Sequence, residues 1–96
     1  MIVNFASKHA EDIFNGISSK RSRKIPVQLH EKCGRLLDQI NASSIVETLK
    51  VPPGNRLERL KGDLSGHWSL RINDQWRIIF KWKEGNAFDV NIVDYH

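Results

Sequence analysis

Two hydrophobic periods divide this chain. From Pro26 to Asn41 the apolar residues Leu29, Cys33, Leu36, Leu37 and Ile40 recur at three- and four-residue steps, the spacing that gathers side chains on one face of an α-helix. Pro26 suits a first turn, because the N–H it lacks is one a helix start leaves unpaired anyway. Beyond the Pro52-Pro53-Gly54 break the period falls to two. His67 to Ile72 sets Trp68, Leu70 and Ile72 against His67, Ser69 and Arg71. Trp76 to Lys83 sets Trp76, Ile78, Phe80 and Trp82 against Arg77, Ile79, Lys81 and Lys83. Ala87 to Val93 sets Phe88, Val90 and Ile92 against Asp89, Asn91 and Val93. Asn73-Asp74-Gln75 and Glu84-Gly85-Asn86 are short, turn-forming links, so the three runs are predicted as antiparallel neighbours in a meander.

The rest of the chain is less periodic. Ile2, Val3 and Phe5 form a short β-prone run, and Ser7 is placed to cap a helix running through Ala10 and Ile13 to about Phe14, with Gly16 past its end. Ser18 to Lys24 has no period and reads as an exposed basic connection carrying Lys20, Arg21, Arg23 and Lys24. Ser43 or Ser44 would cap a short turn through Val46 and Leu49. Gly34, inside the long helix, costs about 1 kcal/mol relative to alanine and points to a close approach by another element. These elements make an α+β fold, with an N-terminal strand and two helices packed on one face of an antiparallel sheet, in one domain spanning residues 1–96. The Trp, Ile and Phe faces of the strands would then cover the helices. His67, Ser69, Arg71, Arg77 and Lys81 would face solvent, with Tyr95 in phase with Val93.

Charge gives that polar face a meaning. Lysine and arginine outnumber aspartate and glutamate by 15 to 11, for a formal charge of +4 and a pI near 9.5, which favours an anionic partner such as RNA, DNA or an acidic protein. The one cysteine, Cys33, excludes an intrachain disulfide and a cysteine-based zinc site and fits a reducing cytosol. The start, MIVNFASKHAED, is too briefly apolar for a signal peptide or a membrane span, so an intracellular protein is expected. His9 and His30 lack ligand partners at metal spacing. No glycine-rich phosphate loop or serine-nucleophile motif is present. Trp68, Trp76 and Trp82 alternate in step with core residues, which favours packing over base stacking.

Four side chains suit phosphate chemistry. Arg77, in mid-sheet opposite the aromatic face, offers a guanidinium fork that holds a phosphate bidentately; its alternatives are a stack on a neighbour or a pair with Asp89 or Glu84. Lys61 precedes the Gly62-Asp63 turn and is expected at the rim of the same face. Tyr95 and His96 follow the last strand directly, and both side chains exchange protons.

Pro53-Gly54-Asn55-Arg56-Leu57-Glu58, Leu60-Lys61-Gly62-Asp63, the run from Trp68 to Ile78 and Val93-Asp94-Tyr95-His96, taken in this order, resemble the HigB branch of the RelE/ParE toxin superfamily. The resemblance covers the whole chain in order of elements and is specific in the C-terminal half. It implies a toxin of a bacterial type II toxin–antitoxin pair, cytoplasmic, acting without cofactor as a ribosome-dependent, metal-independent endoribonuclease that cuts messenger RNA in the decoding site. Carried over by position, Lys61, Arg77, Tyr95 and His96 are the implied catalytic residues. Lys20, Arg21, Arg23, Lys24, Arg71 and Lys81 are the implied contacts to RNA and ribosome. The implied partners are a helix-turn-helix antitoxin, the ribosome with its messenger, and operator DNA through the antitoxin complex. Some relatives carry histidine where this chain has Glu58, which leaves the general base open. The superfamily also contains poisons of DNA gyrase, and a non-enzymatic basic nucleic-acid-binding module is the reading from a different class.

Overall fold

The computed structural model describes residues 1–95; His96 lies outside the described residues. Four antiparallel strands, β1 (Glu58–Arg59), β2 (His67–Arg71), β3 (Trp76–Lys83) and β4 (Asn86–Asp94), form one sheet in that spatial order. Two α-helices, α1 (Lys8–Phe14) and α2 (His30–Ala42), contribute to the core beside it. The α+β class and the meander are as the periods predict. The N-terminal run lies parallel to β4 through two isolated bridges, Ile2 with Ala87 and Phe5 with Val90. It therefore extends the sheet at the edge of β4.

The apolar stripe of α2, Cys33, Leu36, Leu37 and Ile40, meets Leu70, Ile72, Ile78, Phe80, Val90 and Ile92 of the sheet region, with Ala10 and Ile13 of α1 closing the cluster. Each fully buried Leu or Ile contributes about 1.5–3 kcal/mol, so this contact outweighs any local propensity. The seven residues of α1 are too few to hold a helix alone. It is fastened to the sheet instead. The Ser7 hydroxyl caps the Ala10 N–H at 3.3 Å and donates to Asn91 Oδ1 at 2.6 Å, and the His9 ring bonds the Ile92 carbonyl at 2.9 Å.

Several expectations are corrected. The long helix begins only at His30, after a 3-10 turn over Val27–Leu29. A Cβ added at Gly34 meets nothing within 4 Å, so no element approaches there. Neither Ser43 nor Ser44 caps the turn at Val46–Lys50; Ile45 occupies that position, and the Ser43 hydroxyl bonds back to the Gln39 carbonyl. Within the basic connection, Ser22–Lys24 is a 3-10 turn and Ser22 is fully buried. Ser69, expected in solvent, is also buried, because Glu58 and Ile79 flank it on the same face with longer side chains.

The largest correction falls in β4. Asp89 adopts φ 52°, and the pairing of β3 with β4 shifts by one residue between Ile79 and Lys81, the signature of a β-bulge. N-terminal to the bulge the strand changes phase. Ala87 turns into the core and Phe88 turns out, opposite Lys81. A left-handed aspartate costs about 1–2 kcal/mol. Asn4 offsets that cost by donating to Asp89 Oδ1 at 2.8 Å and accepting the Asp89 N–H at 3.0 Å.

Candidate active site

Strand register gathers the candidate residues on the sheet face away from the helices. Arg71 of β2 stands opposite Arg77 of β3, and Arg77 opposite Val93 of β4. Glu58 of the edge strand β1 stands opposite Ser69, one step along the same face from Arg71. What delivers β1 to that position is Asn55, a buried side chain whose amide donates to Gln39 Oε1 at 3.2 Å and to the carbonyls of Leu49 and Val51 at 3.2 and 3.3 Å. The loop before β1 is thereby pinned to α2.

Arg77 lies over the ring of Tyr95, its Cζ 5.4 Å from the ring centroid, a cation–π contact. Its Nε and Nη1 are buried and have no hydrogen-bond acceptor among the described residues. The stack expected as one alternative is thus present, while Asp89 pairs with Lys81 at 3.6 Å. Tyr95 is held beyond the end of β4 by its N–H, which donates to the Gln75 carbonyl at 2.6 Å, and the side chain remains exposed.

Around this row the charge is mostly positive. Arg71 pairs with Asp74. That hydrogen bond and the Arg71 charge, with Arg56 and Arg77 adding to them, hold the Asp74 carboxyl below the usual carboxylate range. Three guanidiniums, those of Arg56, Arg71 and Arg77, therefore act on the Asp74 carboxylate. Glu58 is exposed and has no side-chain hydrogen bond or ion pair among the described residues.

Lys61 is not beside Arg77. The N–H of Leu60 donates to the carbonyl of His67, which puts Lys61 at the His67 end of β2, where His67 faces Lys81. Four residues of β2, about 13 Å, separate that row from Arg71 and Arg77. The sequence-predicted residues thus fall into two groups, Arg71, Arg77 and Tyr95 at one end of the face and Lys81 at the other, with Lys61 at the sheet edge near that second end. Lys20, Arg21, Arg23 and Lys24 are exposed as expected. Three of them, Lys20, Arg21 and Lys24, line a recess with Lys8 and His9. Arg21 also donates to the buried Asp12 at 3.2 Å, and the Ser19 hydroxyl to the same carboxylate at 2.7 Å.

Sequence reading missed Arg56 and the position of Glu58. A strand of two residues is too short to show a period. The four charges among the six residues from Arg56 to Lys61 were the available signal.

The profile of the HigB-like toxin family, described as RelE-like toxin of type II toxin-antitoxin system HigB, matches residues 3–96. The chain is 37% identical over 89 residues to Toxin HigB-1 of Vibrio cholerae, covering 93% of this chain and 92% of that protein. It is 31% identical over 97 residues to Endoribonuclease HigB of Proteus vulgaris, covering all of both chains. Among solved structures it resembles the heterotetrameric YoeB-YefM toxin-antitoxin complex of Staphylococcus aureus, with a TM-score of 0.55, 16% identity and coverage of 100% of this chain and 95% of that one, a likeness of fold. Matched along nearly its whole length by the family profile and by two relatives above 30% identity, the chain belongs to the HigB-like family of RelE-like toxins of type II toxin–antitoxin systems.

Proposed function

We propose that this protein is the toxin of a cytoplasmic toxin–antitoxin pair, and an endoribonuclease that cuts messenger RNA in the decoding site of the ribosome without a metal ion. The observation that carries the reading is the Arg77 guanidinium, with two buried nitrogens, Nε and Nη1, that lack an acceptor among the described residues. Unmet donors on a buried cation are costly, and an incoming anion relieves that cost with charge-assisted bonds. The name of the Proteus relative supports RNA as the source of that anion.

RNA supplies its own nucleophile. The 2′-hydroxyl attacks the adjacent phosphorus as the bond to the 5′-oxygen breaks, leaving a cyclic phosphate on one fragment and a 5′-hydroxyl on the other. Arg77 takes up the charge that develops on the non-bridging oxygens. Glu58, a carboxylate unpaired among the described residues and on the face that carries Arg71 and Arg77, removes the 2′-proton. Tyr95, with His96, returns a proton to the departing 5′-oxygen. Lys81, at the far end of the face, and Lys61, at the sheet edge nearby, hold a neighbouring phosphate, and Lys20, Arg21, Arg23 and Lys24 hold ribosomal RNA. The protein partner is a helix-turn-helix antitoxin, through which the pair meets its operator DNA.

The test is cleavage of a defined messenger on translating ribosomes, with chelator present and the 3′ ends mapped. Wild type should cut within the decoding site and leave cyclic or 3′-phosphate ends, and Arg77→Ala should cut about 10²- to 10³-fold more slowly. Absence of cutting by folded wild type, or full activity of folded Arg77→Ala, would overturn the mechanism. In the first case a gyrase supercoiling assay becomes the next measurement.

A further inference from the structure

The bulge at Asp89 has a consequence on the outer face of the sheet. By turning Phe88 out of the core it puts an aromatic ring opposite Lys81, in a surface cleft of about 570 Å³ that Lys83, Trp82, Gly66, Asn4 and Asp89 also line, with Asp89 paired to Lys81 at 3.6 Å. Phe88 is half-buried. It belongs neither to the core cluster nor to the side chains packed against that cluster, and it stacks on no other ring among the described residues. Lys83 points to the same face as Lys81 and forms no ion pair among the described residues. A left-handed aspartate clamped by two bonds from Asn4 thus maintains an outward phenylalanine between lysines.

Bulges next to functional sites re-aim side chains, and a ring flanked by cations is the combination that binds a base by its face and the adjoining phosphate by its charge. We propose that Phe88, with Lys81 and Lys83, forms a nucleobase-binding subsite for single-stranded RNA on the face that carries Arg77. Lys81 lies four residues from Arg77 along β3, about 13 Å, so the base held here is not the one at the scissile bond. The inference rests on the reading of this face as an RNA surface and adds to it a specific contact. The ring supplies affinity and a path for the strand, and Arg77 supplies the chemistry.

Binding of a fluorescein-labelled single-stranded RNA, methylated at every 2′-oxygen so that it cannot be cut, is measured by anisotropy for wild type, Phe88→Leu, Phe88→Ala, Phe88→Trp and Lys83→Ala. Thermal melts establish that each variant is folded. Phe88→Leu fills nearly the same space without a π-face, and both it and Phe88→Ala should lose about 5- to 100-fold in affinity, whereas Phe88→Trp should retain it. Lys83→Ala should reduce the slope of log affinity against log salt by about 0.7. Affinity of Phe88→Leu and Phe88→Ala within twofold of wild type overturns the subsite, as does a wild type that binds no RNA. Protection of the Phe88 ring by the antitoxin would then mark the cleft as a protein-binding surface. The ribosome cleavage assay run alongside separates the two readings. Phe88-dependent binding by a wild type that never cuts sustains the subsite and sinks the endoribonuclease, and normal cutting with Phe88-independent binding does the reverse.

Discussion

The guanidinium of Arg77 lies over the ring of Tyr95, 5.4 Å from its centroid. The two residues come from different segments, one in mid-sheet and one past the last strand, and the stack fixes both. A ring covering one face of the guanidinium leaves its edge as the direction from which an oxygen can reach Nε and Nη1. Those two groups are buried and without acceptors among the described residues, so an oxygen reaches them only once the side chains that cover them shift, and the free protein carries the cost of the unmet donors.

That relationship separates what the ring does from what the hydroxyl does. Tyr95→Phe keeps the stack and loses a proton donor, so kcat for RNA cleavage should fall about 10²- to 10⁴-fold with KM little changed. Tyr95→Ala loses both, and KM should rise as well. In parallel, Arg77→Met should melt no lower than wild type, because it removes two buried nitrogens whose donors are unmet among the described residues. Single-turnover kinetics and thermal melts check the pair. Equal kinetics for Tyr95→Phe and wild type would leave the hydroxyl without a part in proton transfer.

The basic connection should act through charge alone. Lys20 and Lys24 line the recess beside α1 without ion pairs among the described residues, whereas Arg21 is committed to Asp12. Replacing Lys20 and Lys24 by glutamine should therefore weaken ribosome binding and flatten its salt dependence by about 0.7–0.9 per lost phosphate contact, with single-turnover cleavage on saturated ribosomes unchanged. A sedimentation assay across a salt series reads this. Unaltered affinity at low salt would remove the connection from the ribosome contact.

Asp12 makes the fold sensitive to acid at one identifiable point. The Ser19 hydroxyl and, after it, the Arg21 guanidinium hold the Asp12 carboxyl below its ordinary value, against the opposing effect of burial. A carboxyl lowered on folding contributes stability that is complete above its unfolded value near about 4 and is lost as pH falls through its folded value. Asp12→Asn should thus melt below wild type at about pH 7, and the gap should narrow as pH drops below about 4. Melting curves from neutral to strongly acidic pH give the comparison. A gap independent of pH would mean that shape rather than charge carries the contribution.

How much of this was legible depends on how far each signal extends along the chain. The repeated apolar positions of α2, Cys33, Leu36, Leu37 and Ile40, and the alternation of Trp76, Ile78, Phe80 and Trp82, survive into the structure because burial rewards every member of the set. The phase of β4 does not. Its change rests on one aspartate and on Asn4, 85 residues away in sequence, and a period count has no access to a contact of that range. The pattern puts Lys61 at the rim of the sheet but does not say at which end, because only the pairing of the β1 segment with β2 fixes that. Arg77 itself was readable as a mid-sheet cation, whereas its unmet donors were not.

Gly34 is where the sequence suggested a purpose that the fold does not reveal. It sits within α2, and a Cβ built there would meet no atom within 4 Å. Its backbone is helical and requires no left-handed geometry, so alanine adopts it without strain and reduces the freedom of the unfolded chain. Gly34→Ala should therefore raise stability by about 0.5–1 kcal/mol. A shift of about 4 °C or more in Tm is expected at the upper end of that gain for a chain of this size. Cleavage should not change, because Gly34 lies on the helix layer and the candidate site on the opposite face of the sheet. Denaturant melts with unchanged slope would confirm that the gain is one of stability alone. A destabilised or inactive Gly34→Ala would mean instead that this glycine admits a partner to the surface of α2.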